Sequence, residues 1–496
     1  MKKNLKLQTK RFMLFFVAIS FISLSCTVEK ANTDYPVGFR YYKVQDTSRL
    51  YICNQDTIFR PMLIYFWYPS EDISDGNKMN FKQYVDLISI REDYFKAKED
   101  IDNESYDFIN AYAGFAKGNF KIGLNASTEE ILESPVEASL DSPQAMGKFP
   151  LIIYAPSNSK TPVQNHRLCE QLAKKGFFVI SVASAGENSI QRRDPGKSIL
   201  AQVEDMEFIL DYIENTVPVN YSSIGLFGYS TGGLAAALFQ MKHPNVKAVC
   251  SLDGSQEYSF YIFLSKLQEF RLEKTEVPYF MMVNKDVSSV YPFYNSIISR
   301  DKLAVRMSNL DHFGFVSFWS YFNNCKPDSI QNNYARSYDF IADYATTFFD
   351  ATLKENQKSK EKLLSLSSQE NEFSIPDQLD YAQSTALINT YLQSSIDTAI
   401  AIYKSHKAEA YDNYDYTEEE ISMAGRMLLD YDGNASVKLF KFNIEEYPDS
   451  WHAYYDLGFA HKINGETDQA KEALLKAQQM YPENMDISKL LSELSN

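Results

Sequence analysis

Gly228-Tyr229-Ser230-Thr231-Gly232 stands between two stretches of different hydrophobic pattern. Before it, residues 222–227 are short and largely apolar, as a buried strand would be. After it, residues 233–243 are rich in Ala and Leu and read as a helix. A pentapeptide of this form at a strand-to-helix junction limits what the chain can fold into. Its serine rides a sharp turn with the hydroxyl clear of the sheet, and its glycines let the turn close without a Cβ clash. The N-terminus of the following helix then faces any oxyanion formed at that hydroxyl. Ser230 is the candidate nucleophile on these grounds. A tight turn with an incidental serine is the plainer reading of a lone glycine pattern. The strand before and the helix after tell against it.

From about residue 149, short apolar stretches alternate with amphipathic ones. Strands are predicted at 151–155, 177–182, 222–227, 247–252, 279–283 and 303–307, with helices at 163–175, 199–215, 233–243 and 334–354. This alternation implies an α/β fold, a doubly wound and mostly parallel sheet covered on both faces. Two more strands, 41–44 and 59–68, precede it, and a charged, aromatic-dotted stretch at about 77–135 reads as a helical insertion.

The chain opens with Lys2, Lys3, Lys6, Lys10 and Arg11, followed by an apolar run over 12–24 that ends at Ser25-Cys26. The run is short for a membrane span and has the charged flank of a secretory signal. Cysteine after a small residue at its end predicts a lipoprotein signal over 1–25, with Cys26 lipidated. An ordinary cleaved signal is the alternative. The first reading makes the chain an exported bacterial lipoprotein of the cell envelope, held to the membrane by its lipid alone. A formal charge of −16 excludes a nucleic-acid footprint. The five cysteines show no metal-ligand spacing, so neither a metal nor a cofactor is expected.

Residues 355–415 open with a polar run, 354–362, followed by helical stretches, and read as a helical connector. The rest, 416–496, carries an internal repeat: Tyr447-Pro448 and Tyr481-Pro482 lie 34 residues apart. Trp451, Tyr454, Leu457-Gly458, Gly465, Ala470, Leu474 and Ala477 fall between them in the order of a tetratricopeptide unit, to which this stretch is similar. A weaker copy over 416–449 keeps Ala424-Gly425, Ser436, Phe440 and Pro448, with Asn443 in place of the usual Ala. A small all-α helical-repeat domain follows from this. So short an array is expected to pack on its neighbour, and it leaves room for a protein partner.

A serine hydroxyl needs a base, usually a histidine held by a carboxylate. Of six histidines, His406, His452 and His461 lie in the connector and tail. His166 opens a helix and His243 ends one, so both read as surface or capping residues. His312 remains, five residues past the strand at 303–307, in a loop that overhangs the carboxyl ends of the strands. Two aspartates end neighbouring strands, Asp253 and Asp286, and either can orient the imidazole. Asp311, beside His312, reads as a loop surface charge.

Several segments now carry a resemblance: 36–40, Arg60-Pro61 through Trp67-Tyr68-Pro69-Ser70, 149–157, 172–181, the serine turn, Leu252-Asp253-Gly254 and the His312 loop. Over 36–354 the chain resembles the α/β-hydrolases of the platelet-activating-factor acetylhydrolase and dienelactone hydrolase-like group. The resemblance implies a serine esterase acting through an acyl-enzyme on a carboxylic ester, such as a short-acyl phospholipid or another lipid ester. It also favours Asp253 over Asp286 as the acid. Where many relatives have His-Gly, this chain has Pro156-Ser157-Asn158. Backbone N–H groups survive such changes, so Thr231 and Asn158, or alternatively Ser157, can form the oxyanion hole. A peptidase or thioesterase would use the same triad, and a catalytically silent scaffold recruiting a partner through its tail is the reading from another class. Residues 258–264 are aromatic-rich and follow Asp253 closely. They read either as a covering helix or as a lid lining the acyl site.

Overall fold

A computed structural model gives the architecture, describing residues 34–494 except 54, 72–76, 121–125, 158–159, 190–193, 215, 286–288, 322–329, 367–372, 375–381 and 409–416. Cys26 and the segment before it lie outside the described residues. Residues from Asp34 onward form one compact unit. Its strands are β1 (Val37–Cys53), β2 (Asp56–Pro69), β3 (Lys78–Asn80), β4 (Pro135–Leu140), β5 (Phe149–Ala155), β6 (Phe178–Val182), β7 (Val219–Tyr229), β8 (Val246–Leu252), β9 (Tyr279–Val283), β10 (Lys302–Met307) and β11 (Phe373–Ser374). They make a single sheet in the order β11-β10-β9-β8-β7-β5-β6-β2-β1-β4-β3.

The middle of this sheet, β6-β5-β7-β8-β9-β10, is parallel throughout. Every residue of β6 and β9 is buried. Strands covered on both faces need apolar side chains at every position, which is why these segments read as continuous apolar runs. On one face lie the helices Pro195–Glu214 and Thr231–Lys242, sharing a core that includes Ile199, Met206, Ile209, Leu234 and Leu238. On the other lie His166–Lys174 and Ile330–Leu353, with Leu168, Leu172, Tyr338 and Phe349 in the core. The chain has an α/β architecture: a doubly wound, mostly parallel sheet followed by a helical C-terminal region.

Three elements differ from the sequence expectation. β1 and β2 form a hairpin far longer than the two strands predicted, with a bulge between Asp46 and Leu50. Its tip has little apolar alternation, because it is held by specific contacts rather than by a continuous core. Tyr51, fully buried, donates to the Ala185 carbonyl at 3.1 Å. The Arg60 guanidinium clasps Asp205 through both carboxylate oxygens (2.6 and 2.5 Å), and donates to the carbonyls of Gly186 and Glu187. The loop after β6 is pinned by these bonds. The insertion contains the expected helices, Phe81–Ser89, Lys98–Phe120 and Thr128–Leu132, the first and last opened by capping boxes at Asn80 and Ser127. It also contributes β3, and β4 follows it to pair with β1. β4 starts on a proline and is short, so it carried little strand signal. His166 is fully buried, not a surface cap. Its Nδ1 lies 2.8 Å from the Val163 carbonyl and its Nε2 2.6 Å from the Tyr321 hydroxyl, and burial pulls its pKa down to about 3.

In the tail, antiparallel helices Glu418–Leu428, Gly433–Glu446, Trp451–Ile463 and Thr467–Met480 pack in succession, ending with Met485–Glu493. Gly425 faces Phe440, and Gly458 faces Leu474. The connector helix Ala382–Gln393 joins this region to the sheet domain, since Leu387, Ile388, Ile421 and Met427 share one apolar cluster with Tyr261 and Phe293. Across the junction the Tyr261 hydroxyl meets the Asn389 side chain at 2.8 Å.

Candidate active site

Ser230 joins β7 to the helix Thr231–Lys242 with φ 55° and ψ −125°, a left-handed φ that strains any residue with a Cβ. Its surroundings dictate the strain. A Cβ at Gly228 would lie 2.5 Å from the Gly232 carbonyl oxygen, and one at Gly232 would lie 2.0 Å from that of Ala155. Both obstacles are backbone, so only glycine fits either place. The Ser230 carbonyl accepts from Gly233 N–H (3.0 Å) and Ser255 N–H (2.9 Å), which holds the turn from two sides. Ser230 is left 7 % exposed.

His312 begins a short helical turn, His312–Phe315, after β10. Its Nε2 lies 3.0 Å from Ser230 Oγ and its Nδ1 2.5 Å from Asp253 Oδ2. Three neighbours fix this turn. Tyr229 stacks on the imidazole with ring centres 5.3 Å apart and donates its hydroxyl proton to the His312 carbonyl at 2.9 Å. Trp319 Nε1 donates to the Phe313 carbonyl at 2.7 Å. Asp311 accepts from Phe313 N–H at 3.0 Å and from the Tyr334 hydroxyl, so it is an anchor of the loop rather than a loose surface charge.

Asp253 ends β8 with φ 46° and is fully buried. Oδ1 accepts from the Tyr258 hydroxyl at 2.5 Å and from Asn284 N–H at 3.0 Å. Oδ2 accepts from Asn284 Nδ2 at 2.9 Å as well as from His312. Two donors on each oxygen satisfy the carboxylate away from water, as a buried acid requires. Asp286, the other candidate acid, lies outside the described residues. Sequence reasoning missed Tyr258 as an acid partner and missed Asn284 altogether. Tyr258 stood inside the segment read as lid or covering helix, and Asn284 stands 31 positions from Asp253. No local pattern marks either.

Thr231, the residue after the serine, opens the helix. The close approach of Gly232 to Ala155 places the end of β5 directly against that first turn. Ser157 follows in the same loop, half-buried, and the Pro156 carbonyl is held by Gln202 Nε2 at 2.7 Å. Asn158 lies outside the described residues. Among the described residues, no cluster of His, Cys, Asp and Glu could hold a metal ion.

Much of the segment 258–264 is packed into the protein. There Tyr261, Ile262 and Leu264 are core residues, and Phe260 meets Tyr431 of the tail. The insertion also reaches this side: Phe115, from the helix Lys98–Phe120, meets Phe313 edge-on at 4.9 Å. Phe313, next to His312, is 45 % exposed. A serine hydroxyl on one imidazole nitrogen, a buried carboxylate on the other and an apolar surface nearby form a group able to take a proton from Ser230 Oγ and hand it on.

No protein-family model matches the chain, and no curated protein matches it. Among solved structures it is similar to a ferulic acid esterase from Streptomyces cinnamoneus, at 18% identity over 65% of this chain and 92% of that one, with a TM-score of 0.47.

Proposed function

We propose that this chain is a serine hydrolase cleaving a carboxylic ester through an acyl-enzyme on Ser230. The observation that carries the reading is the continuous line Ser230 Oγ–His312 Nε2 and His312 Nδ1–Asp253 Oδ2, at 3.0 and 2.5 Å. In the first half-reaction Oγ attacks the ester carbonyl while His312 Nε2 takes its proton. Asp253 stabilises the resulting imidazolium. The tetrahedral oxyanion is held by the Thr231 N–H and an N–H of the loop after β5, Asn158 or Ser157. Collapse expels the alcohol, which leaves with the proton from His312. Water then repeats the sequence on the acyl-enzyme and frees the acid and Ser230.

The substrate class follows from the resemblance to the acetylhydrolase and dienelactone hydrolase-like group: a short-acyl phospholipid or related lipid ester, with Phe115 and Phe313 bordering the acyl side. The signal and Cys26 would put the enzyme on a membrane of the bacterial envelope, by its lipid alone. The tail would be a pair of tetratricopeptide units, a reading supported by the glycines at the helix crossings. A fluorophosphonate probe tests the core of this. Wild type should be labelled and Ser230→Ala should not; equal labelling of both, or of neither, refutes the assignment. Graded p-nitrophenyl esters beside a short-chain sn-2 phospholipid then sort the substrates.

A further inference from the structure

We infer that Tyr258 is a positioning residue for the catalytic acid, its hydroxyl fixing both the rotation of the Asp253 carboxylate and the strength of its hold on His312. The inference rests on the hydrolase reading above and extends it to a residue outside the triad.

The geometry leaves the Tyr258 hydroxyl one main function. It points into the protein at a carboxylate oxygen 2.5 Å away, and the Asn284 amide lies 3.3 Å from the same hydroxyl. Asp253, Tyr258 and Asn284 thus close a ring of polar contacts behind the imidazole. A carboxylate bonded to His312 through Oδ2 alone can turn about its Cβ–Cγ bond. One whose Oδ1 is held by Tyr258 and by the Asn284 backbone cannot. The segment carrying Tyr258 is itself anchored. Ser255 N–H bonds the Ser230 carbonyl, and Glu257 accepts from the Tyr279 hydroxyl and from Tyr294 N–H.

A hydrogen bond donated to Oδ1 disperses the negative charge that stabilises imidazolium. Without that donor the carboxylate holds the imidazolium more firmly, and a higher pH is needed before the base is free. Among the described residues, the other titratable groups around Asp253 include Tyr229, Tyr291 and Glu257, with Arg306 next to Tyr291. Burial pushes Glu257 up to about 7, inside the window of interest, so Glu257→Gln is the necessary control.

The experiment measures kcat/KM against pH with p-nitrophenyl acetate for the full chain, alongside fluorophosphonate labelling and Tm. Tyr258→Phe keeps the ring and removes the bond. Its kcat should fall by about tenfold, the scale of a hydrogen bond to a charged group, with KM nearly unchanged. The acid limb of its profile should move to higher pH by roughly half a unit to one unit. Glu257→Gln should leave that displacement in place when combined with Tyr258→Phe. An acid limb that stays put in Tyr258→Phe, with only Tm reduced, shows a structural role and overturns the inference while the triad reading stands. A wild type without Ser230-dependent turnover overturns both. Should Tyr258→Phe fail to fold, Asn284→Ala removes a donor from the other oxygen. It must shift the limb in the same direction, or the inference fails.

Discussion

The serine turn and the helical tail both depend on glycines at close contact, but different things occupy the space of the missing Cβ. At Gly228 and Gly232 the obstacle is backbone, the carbonyl oxygens of Gly232 and Ala155 at 2.5 and 2.0 Å. At Gly425 and Gly458 it is chiefly side chain, the Phe440 ring and Leu474 Cγ at 2.5 and 2.6 Å. Side chains can change rotamer and neighbouring helices can slide, whereas a central parallel strand cannot move without its neighbours. The turn therefore tolerates no substitution, while the tail tolerates small ones at a cost in stability. Precision in this protein is concentrated at the carboxyl ends of β5, β7 and β8.

The sharpest break of that contrast is in the acid. Asp253→Asn keeps the shape but leaves His312 Nδ1 without its carboxylate. By analogy with the same change in another serine triad, turnover should drop by about 10⁴. The same substitution at Asp286 should cost far less, and steady-state kinetics of the two variants compare them directly. A larger loss at Asp286 would transfer the acid role to it.

Paired glycine substitutions test the comparison itself. Gly232→Ala must displace the Ala155 carbonyl or the first helical turn, and a shift of that size in an active site costs about a hundredfold or more in kcat. Gly458→Ala should leave kcat unchanged and destabilise the tail by about 1–3 kcal/mol, the usual cost of overpacking. Esterase assays and thermal unfolding measure the two effects. Equal loss of activity at both positions would mean the tail reaches the site more directly than its packing implies.

How much of this was legible in the sequence divides along the same line. The strands β5 to β10 were readable because burial on both faces demands unbroken apolar runs. Ser230 and His312 could be picked out because each stands past a strand end; Asp253 shared that place with Asp286 and was favoured only by the resemblance, and the structure brings Ser230, His312 and Asp253 together. The Asp253 partners were hidden for the opposite reason. Asn284 bonds the acid only because β8 and β9 are adjacent, which no window of sequence encodes, and Tyr258 does so because the chain turns through Ser255–Glu257 five residues on. His166 was misread because a polar residue at a helix start suggests a cap, whereas here Phe81 stacks on it and Tyr321 satisfies it from distant parts of the chain. The hairpin tip escaped because the buried Arg60–Asp205 pair looks, in sequence, like two surface charges.

The two faces of the sheet give a subtler comparison, through pH. Glu170 is buried on the face away from the tail, accepting from the Tyr84 hydroxyl at 2.9 Å and Ala138 N–H at 3.2 Å. Burial is the main cause that pushes its pKa up to about 7. The folded state therefore binds a proton more tightly than the unfolded chain, where a glutamate titrates at about 4.3. Stability from this group is complete below the unfolded value and is lost as pH rises through the folded one. Tm should decline from pH 5 to 7.5 in the wild type and decline less in Glu170→Gln, whose amide oxygen can keep both contacts. A variant with an unchanged slope would assign the loss to Glu257 on the other face, which burial also raises to about 7.

The smallest effect is expected where the two regions meet. Phe260 is half-buried and packs edge-on against Tyr431, with ring centres 6.4 Å apart. It sits two residues from Tyr258, so either of two consequences can follow its removal. If the ring serves only the junction, Phe260→Ala should lower Tm by less than the ~3–5 kcal/mol equivalent of a fully buried phenylalanine. Ester chain-length preference would then be untouched. If instead the ring borders the acyl site, preference between short and long p-nitrophenyl esters should shift by about 1–3 kcal/mol, with little change in Tm. Its contact with Tyr431 favours the first outcome, and Phe313, with Phe115 edge-on to it, already stands beside His312. A chain-length shift in Phe260→Ala without a matching shift in Phe115→Ala would return the acyl wall to the segment after Asp253.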